Sequence, residues 1–195
     1  MTTGRLPAAL RRRQLLDVAL RVFGDSGYHH TSMEAVADGA GVTKPVLYQH
    51  FGSKRDLYLE VLDDIGNRLI EAVVEATKGT DHPRAKVESG FAAYFRFAGG
   101  QALAFGLLFG GGPERDGEFA AVAERVEEAM AETIAGLIDA DVGTEHRYLL
   151  AHGVIGLAEG TGRHWMARGL DLEPDRLAAR VADLAWAGLR GVHRD

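Results

Sequence analysis

Hydrophobic residues recur along this chain at the three- and four-residue spacing of helices, and nearly every such run ends at a Gly or Pro. No stretch shows the strict apolar and polar alternation, bounded by turn signals, that is typical of a strand. The pattern therefore predicts an all-α protein of about nine helices. Predicted helices outside residues 31–53 cover 7–25, 54–78, 84–98, 101–110, 114–138, 144–168 and 173–192.

Residues 54–78 carry apolar side chains along one stripe, which is the pattern of a long helix with one buried face. The stripe consists of Tyr58, Val61, Leu62, Ile65, Leu69 and Val73. We expect this helix to connect residues 1–53, as an N-terminal domain, to a helical body of residues 54–195.

Residues 31–54 predict two short helices joined by a tight turn. Thr31 and Glu34 have the spacing of a capping box, so the first helix is expected to begin near Ser32. Its inward face would consist of Met33, Val36, Ala37 and Ala40. Gly39 and Gly41 bracket its end, where a positive φ stops a helix and turns the chain.

The second short helix is expected to begin at Thr43, an N-cap candidate followed by Pro45 in the first turn. Leu47 and Phe51 share an inward face. The outward side chains are Lys44, Gln49 and His50, with Tyr48 at the boundary. Polar side chains on a short exposed helix can reach phosphates and base edges, so the arrangement favours a helix-turn-helix in a DNA major groove.

The run from Leu16 to Leu57 resembles the DNA-binding domain of the TetR family of transcriptional regulators. The matching positions are Ala19, Phe23, Gly27, Tyr28, Thr31, Ala35, Ala40, Gly41, Val42, Thr43, Leu47, Tyr48, His50, Phe51, Ser53, Lys54 and Leu57. Val36 stands where the family often has Ile, and Pro45 is one of several residues found at its place. The resemblance covers about forty of the 195 residues and leaves the operator sequence undetermined.

The resemblance implies a DNA-binding surface at the helix-turn-helix. Its recognition residues would be Thr43, Lys44, Pro45, Tyr48, Gln49 and His50, and its phosphate contacts Thr31 and Lys54.

Charge is distributed in a way that fits this expectation. Residues 1–55 contain eight Lys or Arg against four acids, a balance of +4, whereas the remaining residues contain fourteen against twenty-four, a balance of −10. An acidic body is repelled by phosphate and helps to orient the basic end on DNA. Arg11, Arg12 and Arg13 are either a phosphate-contacting arm or a disordered, solvated segment.

Bulk composition narrows the class of protein. An apolar share of 46% and a charged share of 26% are ordinary for a soluble globular protein. No apolar run approaches the roughly 18–20 residues that span a bilayer, and no signal peptide is recognisable. We therefore expect a cytoplasmic protein without a membrane partner. The absence of cysteine excludes disulfides, thiol nucleophiles and cysteine zinc sites.

The last two predicted helices carry apolar stripes suited to self-association or to core packing. The first stripe is Leu150, Val154, Leu157, Thr161 and Trp165, and the second is Leu177, Val181, Leu184, Gly188 and Val192. Gly153, Gly156 and Gly160 each weaken a helix by about 1 kcal/mol relative to Ala, which close approach of a partner helix would offset. In the resembled family the last two helices form a homodimer interface, so we expect a homodimer that reads a palindromic operator.

Six of the fifteen aromatic residues lie between positions 91 and 109. Such a cluster is either plain core or the lining of a small-molecule pocket. Because the resembled family carries a ligand pocket in its body, we expect a small apolar or aromatic effector. Its predicted contacts are Phe91, Tyr94, Phe95, Phe105, Phe109, His152 and Trp165, with Phe97, Arg96, Gln101, Glu159 and His164 as further candidates. Glu159 can equally form an ion pair with Arg163.

These observations together predict a homodimeric repressor that is released from its operator when an effector binds, through movement of the long helix 54–78. No cofactor or metal is expected. A helix-turn-helix protein that binds a ligand or acts as a scaffold without regulating transcription remains an alternative. An all-α enzyme is another, but the eight histidines form no HExxH motif and no nucleophile elbow is present. The glycine run at 110–112 lacks the Gly-Lys-Ser/Thr of a phosphate-binding loop.

Overall fold

The computed structural model describes residues 7–110, 117–138 and 141–192. Within these ranges the chain forms nine α-helices and no β-strand, which confirms the all-α prediction. In chain order they are α1 (Ala8–His30), α2 (Met33–Gly39), α3 (Lys44–Tyr48), α4 (Lys54–Lys78), α5 (Pro83–Gly100), α6 (Ala102–Phe109), α7 (Glu118–Leu137), α8 (Thr144–Ala167) and α9 (Pro174–Leu189). Beyond Gly110, the predicted glycine-rich loop and the predicted helix start at Glu114 lie outside the described residues.

α1 is longer than the sequence pattern predicts, because it continues past Asp25 to His30. Gly27 interrupts it with φ 74° and ψ 165°, a conformation that glycine adopts without steric cost. The glycine therefore bends the chain within the helical segment and leads it towards α2.

The first three helices share a core with the start of α4. Leu15 and Phe23 of α1, Leu47 at α3 and Phe51 just after it are buried together with Tyr58 of α4. The predicted inward placement of Leu47 and Phe51 is thus confirmed. Burial of these side chains fixes the short α3, which at five residues is too short to be stable alone.

The N-cap of α2 is Ser32, whose hydroxyl accepts a hydrogen bond from the Ala35 N–H at 3.1 Å. The prediction that Thr31 caps this helix is wrong, because the N-cap lies one residue later, at Ser32. Thr31 instead turns inward and is only 3% exposed. Its hydroxyl donates to the Gly27 carbonyl of α1 at 2.8 Å.

α4 begins and ends where the sequence pattern places it. Ser53 caps it by accepting from the Asp56 N–H at 3.0 Å, and every residue of its predicted apolar stripe is buried. At Gly66 the helix lies so close to α7 that an added Cβ would stand 2.2 Å from a methyl group of Val126. α4 is thereby packed against the helices of the body.

The faces predicted for α8 and α9 are partly wrong. The core face of α8 consists of Ala151, Ile155, Ala158, Gly162 and Trp165, so only Trp165 of the predicted stripe belongs to it. On α9, Leu177 and Val181 are buried within the protomer, whereas Leu184 is 61% exposed and Gly188 is exposed. The predicted α9 stripe thus straddles two faces of the helix.

No helix in the described part of the chain is both long enough and apolar enough to cross a membrane.

Candidate DNA-binding surface and ligand cavity

The turn between α2 and α3 is built by backbone geometry. Gly41 adopts φ 64°, and the Val42 N–H donates to the Ala37 carbonyl at 3.0 Å, which closes the end of α2. Thr43 then stands at the N-cap of α3 without a side-chain cap hydrogen bond, and Pro45 occupies the first turn. The turn therefore sets the direction of α3 without using the polar side chains that follow.

α3 and its ends present one continuous exposed surface. It consists of Thr43, Lys44, Pro45, Tyr48 and Gln49, with His50 half-buried at its border. Tyr48 leaves 45% of its surface exposed even though Leu47 beside it is fully buried. A large aromatic side chain held at the surface of a rigid helix is suited to contact a base or a sugar.

Thr31 and Lys54, expected at phosphates, are engaged within the protein instead. The Lys54 ammonium donates to the backbone carbonyls of Tyr28 at 2.9 Å and Thr31 at 3.0 Å, and it lies 4.4 Å from the centre of the Tyr28 ring. A third, longer hydrogen bond reaches the His29 carbonyl at 3.5 Å. Lys54 thus ties the start of α4 to the carbonyls at the end of α1, where a cation is favoured.

Arg12 and Arg13 belong to helix α1 and not to a disordered arm. Arg12 forms an ion pair with Glu60 and lies over the Phe51 ring, and Arg13 pairs with Asp64. Both acids are on α4. These two arginines therefore join α1 to α4, and of the three only Arg11, which donates to Gln14, makes no such link.

An apolar cavity of about 220 Å³ lies in the helical body. α4, α5, α7, α8 and α9 all contribute to its wall. The lining residues are Leu69, Val73, Thr77, Pro83, Lys86, Val87, Gly90, Phe91, Tyr94, Phe109, Val126, Glu127, Met130, Ile134, Leu137, Ile138, Leu150, Val154, Ile155, Ala158, Glu159, Trp186 and Leu189. On α5 the wall extends from Pro83 to Tyr94, a rise of about 16 Å.

The predicted aromatic cluster divides into cavity wall and supporting core. Phe91, Tyr94 and Phe109 line the cavity, whereas Phe95 and Phe105 do not. Phe105 packs edge-on against Tyr94 with ring centres 5.8 Å apart, and the Phe95 ring lies 6.4 Å from that of Trp165. Phe95 and Phe105 thus pack in the core behind the residues that line the cavity.

His152 and Trp165 also lie outside the cavity wall. His152 is exposed and stands between two acids of α7, with its Nδ1 3.6 Å from Glu127 and its Nε2 3.7 Å from Glu128. The Trp165 indole donates to the Leu170 carbonyl at 3.1 Å and stabilises the end of α8. Among the further polar candidates, Arg96 pairs with Asp175, Gln101 accepts from Arg68, and His164 is exposed.

Sequence reasoning missed most of the cavity wall. The face of α7 that carries Val126, Met130 and Ile134 was recognisable as one apolar side of a helix, but nothing in its spacing distinguishes cavity wall from core. Nothing in the sequence around Lys86 or Trp186 marks either residue as part of a cavity wall.

Tyr94 and Glu159 are two of the polar residues in the cavity wall. Tyr94 is only 7% exposed, and its hydroxyl has no hydrogen-bond partner among the described residues. Burial, and after it the nearby Glu159 carboxylate, raises the pKa of the Tyr94 phenol far above its ordinary value, so the phenol stays protonated. Glu159 is itself paired with Arg163 at 3.1 Å.

An aromatic cluster joins the body to the N-terminal helices. Phe119 at the start of α7 packs against Tyr28 of α1 and Tyr58 of α4, with ring centres 4.8 and 4.7 Å apart. Further along α7, Val126 and Met130 line the cavity. One helix thus touches both the cavity and the DNA-binding head, by which we mean α1–α3.

The outward faces of α8 and α9 carry small residues and exposed leucines. A Cβ added to Gly153, Gly156 or Gly188 would meet nothing within 4 Å. Leu149, next to this glycine row, is 67% exposed. No close contact with another described residue of the chain accounts for glycine at these helical positions.

These features define a class: an all-helical protein with an N-terminal helix-turn-helix and a separate cavity in its body. Residues 15–61 match the family model described as bacterial regulatory proteins, tetR family. The HTH-type transcriptional activator FasR of Mycolicibacterium smegmatis is 35% identical over 190 residues, which cover 96% of this chain and 87% of that protein. The chain belongs to the TetR family of DNA-binding transcriptional regulators.

Solved structures agree with this assignment. A TetR-like transcriptional regulator from Rhodococcus sp. RHA1 is 30% identical, covers 96% of this chain and the whole of its own, and gives a TM-score of 0.76. The FadR regulator of Bacillus subtilis, solved in complex with stearoyl-CoA, shares the fold with a TM-score of 0.78 at 17% identity, over 93% of this chain and 99% of its own.

Proposed function

We propose that this protein is a homodimeric repressor that leaves a palindromic operator when a fatty acyl ligand fills the cavity. Residues 1–53 serve as the DNA-binding unit and residues 54–195 as the ligand-binding and dimerisation unit. The observation that carries the proposal is the exposed surface of Thr43, Lys44, Pro45, Tyr48 and Gln49, held rigidly on a fully buried Leu47. Because FasR, which is similar over nearly the whole chain, is named an activator, ligand-sensitive activation is the second candidate.

The surface can be tested at Tyr48. We expect Tyr48→Ala to weaken operator binding by about tenfold or more, since a good base contact contributes roughly 1–3 kcal/mol. The side chain is largely exposed, so the melting temperature and the dimer should be unchanged. Unchanged affinity for a selected operator fragment, measured by fluorescence anisotropy, would show that Tyr48 does not read DNA.

Homodimer formation is supported by the outward glycine row of α8 and α9. Leu149, Gly153, Gly156, Leu184 and Gly188 form a surface on which partner helices can approach closely. Of the residues expected at this interface, Leu177 and Val181 are buried in the protomer core, Leu150 and Val154 line the cavity, and Leu157 is half-buried. Two copies related by a two-fold axis would place two α3 helices on successive half-sites, about 34–36 Å apart.

The chemistry of the cavity wall suits a fatty acyl chain with a polar end. Between Pro83 and Tyr94, roughly 16 Å along α5, the wall is mainly apolar and carries one charged residue, Lys86, whose ammonium forms no ion pair within the described chain. A carboxylate, or the polar end of a thioester, would lie at Lys86 with the hydrocarbon chain directed inward. The likeness to FadR, whose structure contains stearoyl-CoA, supports an acyl ligand.

Because the cavity is small, binding of a long acyl chain would move the surrounding helices. A volume of about 220 Å³ is below the roughly 300–1,000 Å³ of ordinary ligand pockets, so a long chain must displace the wall. Displacement of α7 would move Phe119 against Tyr28 and Tyr58, and with them the head and the start of α4. Ligand binding would thereby favour a head spacing that no longer fits two half-sites.

Trp186 reports on the cavity because it lines the wall, whereas the second tryptophan, Trp165, does not. We expect octadecanoyl-CoA or octadecanoic acid to change the fluorescence of the wild type and not that of Trp186→Phe. Comparison of the two compounds identifies which form of the acyl group is bound. If calorimetry shows no saturable binding of either, the acyl assignment is wrong.

A further inference from the structure

The exposure of the wall residues distinguishes a closed end of the cavity from an open one. On α7, Val126 is buried, whereas Ile134 and Leu137 are half-buried. The wall on α5 changes in the same way, because Pro83 at its start is exposed and Tyr94 is buried. A ligand therefore reaches the cavity from the end of α7 and the start of α5, which we call the mouth.

The closed end lies on the side of the DNA-binding head. The Tyr58 ring of α4 packs against Phe119 of α7 with ring centres 4.7 Å apart. Further along both helices, Gly66 of α4 packs against Val126 of α7, so the two helices run side by side in the same direction. Because α4 begins beside the head, Val126 is the α7 wall residue nearest to the head. An acyl chain whose polar end stays at the mouth points its terminal methyl group towards Val126.

Val126 touches both the cavity and the backbone of α4. The three atoms nearest to the position that a Cβ would take at Gly66 all belong to the Val126 side chain, and both residues are buried. No free space is left between the two helices at this contact. Protein interiors are close-packed and compress little, so a group that takes space from Val126 must shift α7 relative to α4.

We propose that Val126 limits the length of acyl chain that the cavity accepts without movement, and that a chain long enough to reach it shifts α7 against α4 at Gly66. This inference rests on the acyl ligand proposed above and adds the residue that determines which chain lengths act on DNA binding. A shorter chain fills the cavity and leaves the contact between Val126 and Gly66 intact.

The length at which this happens follows from the geometry of α7. Val126 and Leu137 both line the cavity, and eleven residues of helix separate them by about 16 Å. An extended chain advances about 1.2 Å per bond, so about fourteen bonds cover that distance. With its carbonyl group at the mouth, a chain of about fifteen carbons would reach Val126, whereas a decanoyl chain would stop about 5 Å short.

The test compares decanoyl, dodecanoyl, tetradecanoyl, hexadecanoyl and octadecanoyl chains, each supplied as the acid and as the CoA thioester. Calorimetry gives the dissociation constants, and fluorescence anisotropy gives the operator affinity with each chain at saturation. We expect the affinity for the ligand to rise with every added methylene group, because each buries more apolar surface. Operator affinity should fall by about fivefold or more with hexadecanoyl and octadecanoyl, and decanoyl should leave it unchanged.

Two valine variants of α7 assign this threshold to the closed end. Val126→Ala withdraws the wall by about one bond length of 1.5 Å, so the threshold should move to chains that are longer by about two carbons. Val122→Ala is the matched control, because it removes the same two methyl groups one turn earlier, where the valine is buried but does not line the cavity. It should keep the wild-type threshold.

Gly66→Ala imitates a long chain from the other side of the contact, because its methyl group needs the space that Val126 occupies. We expect the ligand-free variant to bind the operator about fivefold more weakly or worse. The double variant Gly66→Ala/Val126→Ala should return operator affinity to near the wild-type value, since the alanine methyl group takes the space that the valine methyl groups leave. Should Gly66→Ala fail to fold, the chain series with Val126→Ala decides alone.

The outcomes separate the two proposals. If all chain lengths change operator affinity equally at saturation, or if Val126→Ala keeps the wild-type threshold, the length limit at Val126 is overturned while the acyl ligand stands. If the chains bind and none changes operator affinity, the length limit fails together with ligand control of the operator. If no chain binds the wild type in either form, the acyl ligand and the length limit both fail.

Discussion

At the scale of single residues, two lysines of the same region have opposite surroundings. Lys44 is exposed at the start of α3 and forms no side-chain hydrogen bond or ion pair within the described chain, whereas Lys54 donates to backbone carbonyls at the end of α1. Spacing alone shows both as basic side chains beside a recognition helix. Only the fold reveals that the end of α1 passes next to Lys54, because that contact depends on the continuation of α1 past Gly27.

The two lysines therefore give a matched pair of variants. We expect Lys44→Met to keep the free energy of unfolding, to weaken DNA binding and to reduce the slope of log affinity against log salt by about one. Lys54→Met should lower the free energy of unfolding by roughly 1–3 kcal/mol, because hydrogen bonds from a charged group are lost. Chemical denaturation and binding at several salt concentrations distinguish them. A Lys54→Met protein with unchanged stability and a reduced salt slope would place Lys54 on phosphate.

At the scale of helices, prediction succeeded where large apolar residues mark the buried face. α4 was found with its bounds, and every residue of its predicted stripe is buried, since residues such as Ile65 and Leu69 leave no ambiguity. α8 was misread because its core face is built from small residues such as Ala151, Ala158 and Gly162. A search for large apolar residues at helical spacing does not find such a face, although close helix packing requires small side chains there.

The cavity shows a similar limit at this scale. Phe91 and Phe95 are one helical turn apart and equally aromatic, yet only Phe91 lines the cavity. Which of the two faces empty space depends on how α7, α8 and α9 are placed around α5. That placement depends on contacts between residues that are far apart in the sequence, and the spacing of residues along one helix does not indicate it.

α7 gives the prediction that belongs to this scale. We expect Phe119→Ala to leave ligand affinity within about twofold and to reduce the effect of the ligand on operator affinity, because coupling variants typically act by 0.5–2 kcal/mol. Phe119 is outside the cavity wall and packs on the head through Tyr28. The measurement is operator affinity with and without saturating octadecanoyl-CoA. Val122→Ala, also on α7 and buried, controls for loss of packing. Full coupling in Phe119→Ala would exclude this route.

At the scale of the whole molecule, the proposed dimer gives the exposed leucines and glycines of α8 and α9 a common explanation. Leu184→Asp would bury an unpaired carboxylate on each side of a two-fold interface, so we expect at least a tenfold weaker dimer. Leu170→Asp is the control, since Leu170 is also exposed but lies after α8, apart from the glycine row. Sedimentation velocity over a concentration series measures both. Wild-type dimerisation of Leu184→Asp would remove this face from the interface.

The arrangement of the whole molecule also decides which basic residues are available to DNA. The basic excess of residues 1–55 lies partly in Arg12 and Arg13, which pair with acids of α4, so less of it is available to DNA than the sequence suggests. In the proposed dimer, DNA recognition would therefore depend more on the exposed α3 surface and on the pairing of two protomers. In the proposed mechanism the ligand acts on that pairing geometry from a distance.

Control of operator binding by an acyl ligand in the cavity can be measured in a single titration. An operator fragment is selected from genomic DNA, and the affinity of the protein for it is measured as octadecanoyl-CoA is added. We expect operator affinity to fall by about five- to 150-fold when octadecanoyl-CoA saturates the protein, which is the usual range of allosteric coupling. Saturated ligand binding, shown in the same sample by Trp186 fluorescence, together with unchanged operator affinity would contradict it.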